Sequence, residues 1–216
     1  VNWDWSAVVD FLPRLLDGLL VTLQVLVLGS LISFSLGLVW AAGFRASSRL
    51  VRWPVQAVTE FVRTTPLLVQ LFFLFFVLPE WGVQFSAFTT GTIAIGLHYS
   101  TYTAQVYRAG IDAVPAGQWE AATALSLPAH RTWFAVILPQ ALRRVVPALG
   151  NYVIAMLKDT PLLAAISVLE LLQQSRLESA ATFQYTEPLT VVGVAFILIA
   201  CPASLLVRTL ERRLAR

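Results

Sequence analysis

Few residues in this chain could do chemistry, and most of those lie inside apolar sequence. The adjacent Lys158 and Asp159 follow an uncharged run of 13 residues, Val145 to Leu157. A charge at the centre of a bilayer costs about 2.5 to 3.5 kcal/mol on insertion scales, so an ionisable pair there points to contact with a charged solute. Neighbours on a helix do not face each other, and an internal ion pair would need a break, which Pro161 can supply. Either the segment is a discontinuous element lining a watery path, or it is a tilted span with the dipeptide at its outer end. Tyr99, Tyr102 and Gln105 repeat at helical spacing with His98 beside them. Such a stripe offers ring faces to a cation and an amide to either sign of charge. The plainer alternative is hydrogen bonding between packed helices. Gln70 and Gln24 are single amides in apolar runs and suit the same bonding, with Gln70 also a path candidate. Asn151 fits either role.

Other chemistries find no support. Cys201 is the one cysteine, so no internal disulfide or cysteine-based metal site can form. His98 and His130 fall on different segments, and no metal site is expected. No Ser-His-Asp or paired-carboxylate arrangement suggests a membrane enzyme. No G-x-x-x-x-G-K-[ST] phosphate loop occurs.

The elements that must hold these residues follow from composition. Hydrophobic residues make up 57% of the 216 and charged residues 12%, about half the share usual in a soluble domain. Three charge-free runs are long enough to cross a bilayer: Gly18 to Phe44 and Trp81 to Tyr107, of 27 residues each, and Pro188 to Val207, of 20. The first ten residues of the second run read as a loop. Val55 to Leu78 and Val145 to about Val168 complete a set of five. The fold class expected is therefore all-α integral membrane with five transmembrane helices. The start of the chain does not read as a signal peptide, because it lacks a basic region and carries Asp4, Asp10 and Asp17. Trp3 and Trp5 suit an interfacial segment at a membrane surface.

Five spans put the termini on opposite sides. One side then collects Arg45, Arg49, Arg52, Arg63, Arg108, Arg131, Arg143, Arg144, Arg208, Arg212, Arg213 and Arg216, which is 12 of the 15 Lys and Arg residues. The positive-inside rule makes that side the cytoplasm, with the N-terminus outside and the C-terminus inside. Charges so dispersed between apolar spans do not form a nucleic-acid surface. No repeat of 20 to 50 residues is evident, and the whole chain, 1–216, reads as one membrane domain with a cytoplasmic loop at about 109–147.

That loop contains Pro115, well suited to a first helical turn, and a helix is expected over Ala116 to Leu127, too short to span. Its alanines give it a low profile. Trp119, Ala122 and Leu125 could form an apolar edge, and Glu120 could pair with an arginine on a partner. The loop resembles the EAA loop of bacterial ABC importer permeases: EAA, three residues, Gly, nine residues, Ile, one residue, Leu-Pro. Here the pattern falls on Glu120-Ala121-Ala122, Ser126, Val136 and Leu138-Pro139. Ser126 replaces a glycine that would permit a left-handed backbone, which puts the docking angle in question. Pro128 could set a different exit.

TLQVLVLGSLISFSLGLVWA (22–41), EFVRTTPLLVQLFFLFFVLP (60–79), YTAQVYRAGIDAVPAGQWEAA (102–122) and LPQALRRVVPALGNYVIAMLKDTPLLAAISVLEL (138–171) resemble the polar amino-acid importer subfamily (His, Glu, Gln, Arg and opines) over nearly the whole chain. HYSTYTAQVYRAGI and EAATALSLP look most like the ectoine and hydroxyectoine permease subunits. Gln105 stands where amino-acid permeases often carry Glu.

The resemblance implies a type I ABC importer permease in a bacterial cytoplasmic membrane. Its partners would be two cytoplasmic ATPase subunits, a second permease subunit (identical or paralogous) and an extracytoplasmic solute-binding protein. No cofactor is expected on this chain, and ATP and Mg would sit on the ATPase. Coupling residues would be Glu120, Ala121, Ala122, Ser126, Leu138 and Pro139. Tyr99, Tyr102, Gln105, Gln70, Asn151, Lys158 and Asp159 would be candidates for the path. The competing expectation is a solitary ion-coupled secondary amino-acid carrier, disfavoured by the missing repeat and the odd span number.

Overall fold

The computed structural model describes residues 3–214, which places Arg216 outside the described residues. Among the described residues nine α-helices run in the order α1 (Trp5–Phe44), α2 (Arg49–Thr64), α3 (Leu67–Phe72), α4 (Ala87–Asp112), α5 (Ala116–Ala124), α6 (Ala129–Arg131), α7 (Leu138–Asp159), α8 (Leu171–Thr182) and α9 (Thr186–Leu214). Wide π-type turns cover Phe73–Val77 and Thr132–Ile137, and tight 3-10 turns cover Leu78–Trp81 and Thr160–Ile166. No strand occurs among the described residues.

Helices α1 and α4 pack most intimately, and their sequences show why. Lipid gives no hydrophobic reward for helix pairing, so close approach and interhelical hydrogen bonds must supply it. At Gly37 a Cβ would sit 2.2 Å from Thr103 Oγ1. Only glycine lets the helices touch there. Thr103 Oγ1 donates to the Ser33 carbonyl at 2.9 Å, and Trp40 Nε1 donates to Ser100 Oγ at 3.0 Å. Ile95, Ala94, Ala104 and Thr103 are fully buried. The main apolar core joins Val25, Leu71, Ile95, Tyr99, Met156, Leu163 and Ile166, so α1, α3, α4, α7 and the turn after it share one interior.

Two helices, Trp5–Phe44 and Thr186–Leu214, are long and apolar enough to cross a membrane by themselves. Two bent pairs would each make another span. The second charge-free run becomes α4, which at 26 residues has the length but carries many Thr, Ser and Tyr groups. Its polar side chains are tolerable because its neighbours, not lipid, surround it.

The structure corrects several sequence boundaries. The first span does not begin at Gly18: α1 is continuous from Trp5, despite Pro13, and the tryptophans lead into it. Its first half packs on α8 and α9 through Phe11, Leu15, Leu171 and Val192. The second span is not one helix. The chain turns by 103° between α2 and the segment from Leu67 to Trp81. Pro66 lacks an N–H and drives Thr65 into an extended conformation (ψ 130), as the residue before a proline prefers. The third begins at Ala87, capped by Ser86, whose Oγ accepts from Thr89 N. The fifth extends from Thr186 to Leu214 and includes Pro202.

The fourth span runs as α7 to Asp159 and tightens over Thr160–Ile166 without a gap. It stops at Ser167, whose φ of 62° is left-handed. Glu170, fully buried, then opens α8 by accepting from Leu172 N (2.9 Å) and Gln173 N (2.7 Å). The discontinuity therefore lies beyond Pro161.

Candidate functional site

At the arginine-rich end, α5 projects between α4 and α7. Pro115 is its N-cap rather than its first helical residue. The helix covers nine residues and ends at Ala124, short of Leu127. Ser126 explains the stop: its φ is 48°, its N–H donates to the Thr123 carbonyl (2.9 Å), and Leu127 N–H donates to the Ala122 carbonyl (3.0 Å). These two bonds form a Schellman motif with serine in the position that favours glycine. Ser126 thus adopts the left-handed exit that the motif glycine would allow, and Pro128 follows it without replacing it.

Because the helix ends early, the expected apolar edge divides. Ala122 is buried, and Trp119 packs with Trp133, Val136, Val114 and Ile137. Leu125 is 72% exposed. Glu120, Ala121 and Ser126 are exposed, as is Pro139, with Leu138 half-buried at the start of α7. Phe134 is 73% exposed beside them. The end of the loop is therefore a small platform bearing one carboxylate and two uncovered apolar side chains.

The second cluster lies within the bundle. On α4, Tyr99 and Tyr102 stand with ring centroids 5.9 Å apart, and His98 is 5.4 and 5.3 Å from them. Tyr152 of α7 completes the group at 6.1 Å from Tyr99 and 5.8 Å from Tyr102. Tyr99 OH donates to Asp159 Oδ2 at 2.7 Å. Asp159 therefore turns inward, whereas Lys158 is exposed. The two are not paired, as their adjacency on a helix requires.

The break before Pro66 is stitched by the same cluster. A proline leaves upstream carbonyls without helical donors, and such groups cannot stay bare in a membrane. Gln70 Nε2 donates to the carbonyls of Val62 (2.7 Å) and Thr65 (2.9 Å) and lies 3.0 Å from His98 Nδ1. Tyr102 OH reaches the Arg63 carbonyl at 3.3 Å. Gln70 is thus turned to the backbone of the break.

Other candidates separate. Gln105 lines a cavity of roughly 400 Å³ with Gln56, Glu60, Arg63 and Arg108. There Arg63 pairs with Glu60 at 2.7 Å. Asn151 instead faces an open cavity of roughly 630 Å³ between α7 and the end of α9, with Gln140, Arg143, Arg144 and Glu211. Gln24 lies exposed among Leu20, Leu23, Val27, Leu28 and Phe88, and among the described residues it bonds no other helix.

Sequence reasoning missed Tyr152, a lone aromatic in an apolar run whose meaning comes only from the two tyrosines across the helix interface. It also missed Glu170, for which a signal existed: one carboxylate immediately before a new helix is a cap.

The chain matches the family of binding-protein-dependent transport system inner membrane components over residues 33–216. It is 45% identical over 215 residues to a probable amino-acid ABC transporter permease protein of Sinorhizobium fredii, covering 100% of this chain and 93% of that one. It is 31% identical over 215 residues to the arginine transport system permease protein ArtQ of Bacillus subtilis, covering 99% and 98%. A crystal structure of an amino acid ABC transporter with histidines superposes with a TM-score of 0.92 at 33% identity, covering 99% of this chain and 100% of that one. An inward-facing MetNI methionine ABC transporter shares the fold, with a TM-score of 0.78 at 18% identity and coverage of 94% and 97%.

Proposed function

Because this chain belongs to the binding-protein-dependent transport system inner membrane component family and is an amino-acid ABC importer permease subunit, we propose that it passes a polar amino acid or related zwitterion along α4 and α7. It is a transport subunit and not itself an enzyme. Proteins of this family work with ATPase subunits and binding proteins. Here two ATPases, a second permease copy or paralogue and an extracytoplasmic binding protein complete the importer, and ATP and Mg belong to the ATPases. The arginine-rich end faces the cytoplasm and the N-terminus lies outside.

The observation that carries the solute reading is the Tyr99–Asp159 bond within a ring of tyrosines. A carboxylate inside an apolar bundle is costly unless used, and its only partner among the described residues is a hydroxyl. A cationic group of the solute displaces that hydroxyl, gains the Asp159 charge and lies against the ring faces of Tyr99, Tyr102 and Tyr152. Arg63 and Gln105, one turn towards the cytoplasm, suit the solute carboxylate. Asn151 lies partway along α7, next to Tyr152, and Lys158 lies at the outer end of the same helix. A delocalised cation on a small ring fits an aromatic enclosure better than a compact ammonium does, and the neutral Gln105 suits a less acidic path. Both favour ectoine and hydroxyectoine.

Coupling to the ATPases runs through Glu120, Ala121, Ala122, Ser126, Leu138 and Pro139, with Leu125 and Phe134 supplying uncovered apolar area. Substrate-stimulated ATP hydrolysis in nanodiscs, with ATPase, permease and binding-protein partners present, tests both parts. Stimulation by ectoine, lost in Glu120→Arg and in Asp159→Asn, is the expected result. Stimulation by glutamine, arginine or histidine alone would replace the ectoine assignment. An undiminished response in Asp159→Asn would remove the carboxylate from the path.

A further inference from the structure

The platform at α5 has to move the spans, and its apolar footing does not reach α1. The cluster under α5 contains Ile111, Val114, Trp119, Trp133, Val136, Ile137 and Ala141, all from α4 onward. Arg45, the residue that caps the end of α1, joins that end to the cluster directly. The Arg45 guanidinium lies 5.8 Å from the Trp133 ring centre and donates to Asp112 Oδ1 at 2.6 Å. Trp133 meets the coupling-helix residue Trp119 edge-on, with ring centroids 5.3 Å apart and planes at 82°. On the other side Asp112 faces Arg108 at 4.0 Å, whose guanidinium lies 5.5 Å from the Phe44 ring of α1.

We propose that Trp119, Trp133, Arg45 and Asp112 form a relay that transmits displacement of α5 to the ends of α1 and α4 together. The proposal rests on the reading that ATPases dock at α5. Apolar contacts can slide with little penalty, whereas an edge-to-face ring pair, a cation over a ring and an ion pair each have a preferred geometry. A displaced Trp119 therefore carries Trp133, and Arg45 must follow it or lose its ring. Since Arg45 also holds Asp112, the tightly packed α1 and α4 move as one body. Stability alone does not explain the cluster: the Arg45 and Asp112 side chains are 38% and 55% exposed, and exposed pairs add little to folding. Arg45 and Trp133 are positioning residues that touch no solute.

The test uses the assembled importer in nanodiscs and separates ATPase binding, ATP hydrolysis and solute moved per ATP. Arg45→Ala and Trp133→Leu are expected to bind the ATPases with unchanged affinity and to keep basal hydrolysis. Solute moved per ATP should fall about fivefold or more, the size of a lost coupling interaction. Trp133→Phe, which keeps a ring, should retain most of the transport ratio. In the double variant Arg45→Ala/Trp133→Leu the second change should add little, because the two act in series. An unchanged transport ratio in Arg45→Ala would overturn the relay. So would a parallel loss of ATPase affinity and transport, which would make these residues mere supports of the docking surface. Failure of the wild-type chain to bind ATPase would instead remove the docking reading itself, before any variant is compared.

Discussion

Replacing Ser126 by glycine should strengthen the turn that ends the coupling helix. Ser126 is left-handed, with φ 48°, a conformation that costs an ordinary L-residue about 1 to 2 kcal/mol. Glycine removes that strain but loses about 0.5 to 1 kcal/mol more backbone freedom on ordering. The net gain is then about 0.5 to 1 kcal/mol. Little offsets it: the serine side chain is exposed, and both turn bonds, from Ser126 N–H to Thr123 and from Leu127 N–H to Ala122, belong to the backbone. Global unfolding would register this poorly, because an exposed loop opens on its own. Hydrogen exchange of the amides at positions 126 and 127 reads it directly, and should slow about two- to fivefold in Ser126→Gly. Ser126→Val, with a branched side chain in the same backbone, should exchange at least about tenfold faster. Equal or faster exchange in Ser126→Gly would refute the reasoning, because the turn would then not depend on a left-handed residue 126.

Gly37→Ala should lower stability by about 1 to 3 kcal/mol through overpacking against Thr103, seen as an earlier melting transition in detergent. Gly193→Ala, where nothing lies within 4 Å of the added carbon, should shift stability by no more than about 1 kcal/mol, in the stabilising direction. Gln70→Leu strips the donors from the Val62 and Thr65 carbonyls and should destabilise by about 1 to 3 kcal/mol, with exchange protection lost first at α2 and α3. Glu170→Ala removes a buried cap and should cost about 1 to 2 kcal/mol, whereas Glu170→Gln should recover part of the melting temperature.

The parts of this fold legible in the sequence were those that hydropathy controls. The uninterrupted runs at Gly18–Phe44 and Pro188–Val207 each lie inside one helix. The span expected over Val55 to Leu78 misled because LLVQLFFLFFVL is apolar whatever its backbone does, and the event at Thr65–Pro66 concerns a missing donor, not polarity. The rule for a residue preceding proline would have found it. Lys158 and Asp159 were legible by adjacency, since neighbours on a helix diverge, but that Asp159 meets Tyr99 is a tertiary fact. Likewise Tyr99 and Tyr102 could be paired from their spacing, whereas Tyr152 gained its place only when α7 crossed α4. At Ser126 the motif's glycine pointed to the left-handed turn, although the substituted residue argued against it.

The composition of α4 has a consequence for how the protein is made. A helix rich in Thr, Ser, Gly and Tyr partitions poorly into lipid from a translocon, which weighs each segment against hydrocarbon. Yet this helix is buried at the centre of the finished bundle. Its polar hydroxyls find Ser33 and Trp40 only once α1 is in place, and α1 precedes it in the order of synthesis. Membrane entry of α4 is thus an assembly step, in which the first helix serves the third long segment as solvent. A chain whose α1 lost Gly37 would therefore lose yield at membrane entry as well as stability afterwards, with fewer copies of α4 inserted and those that assemble melting earlier.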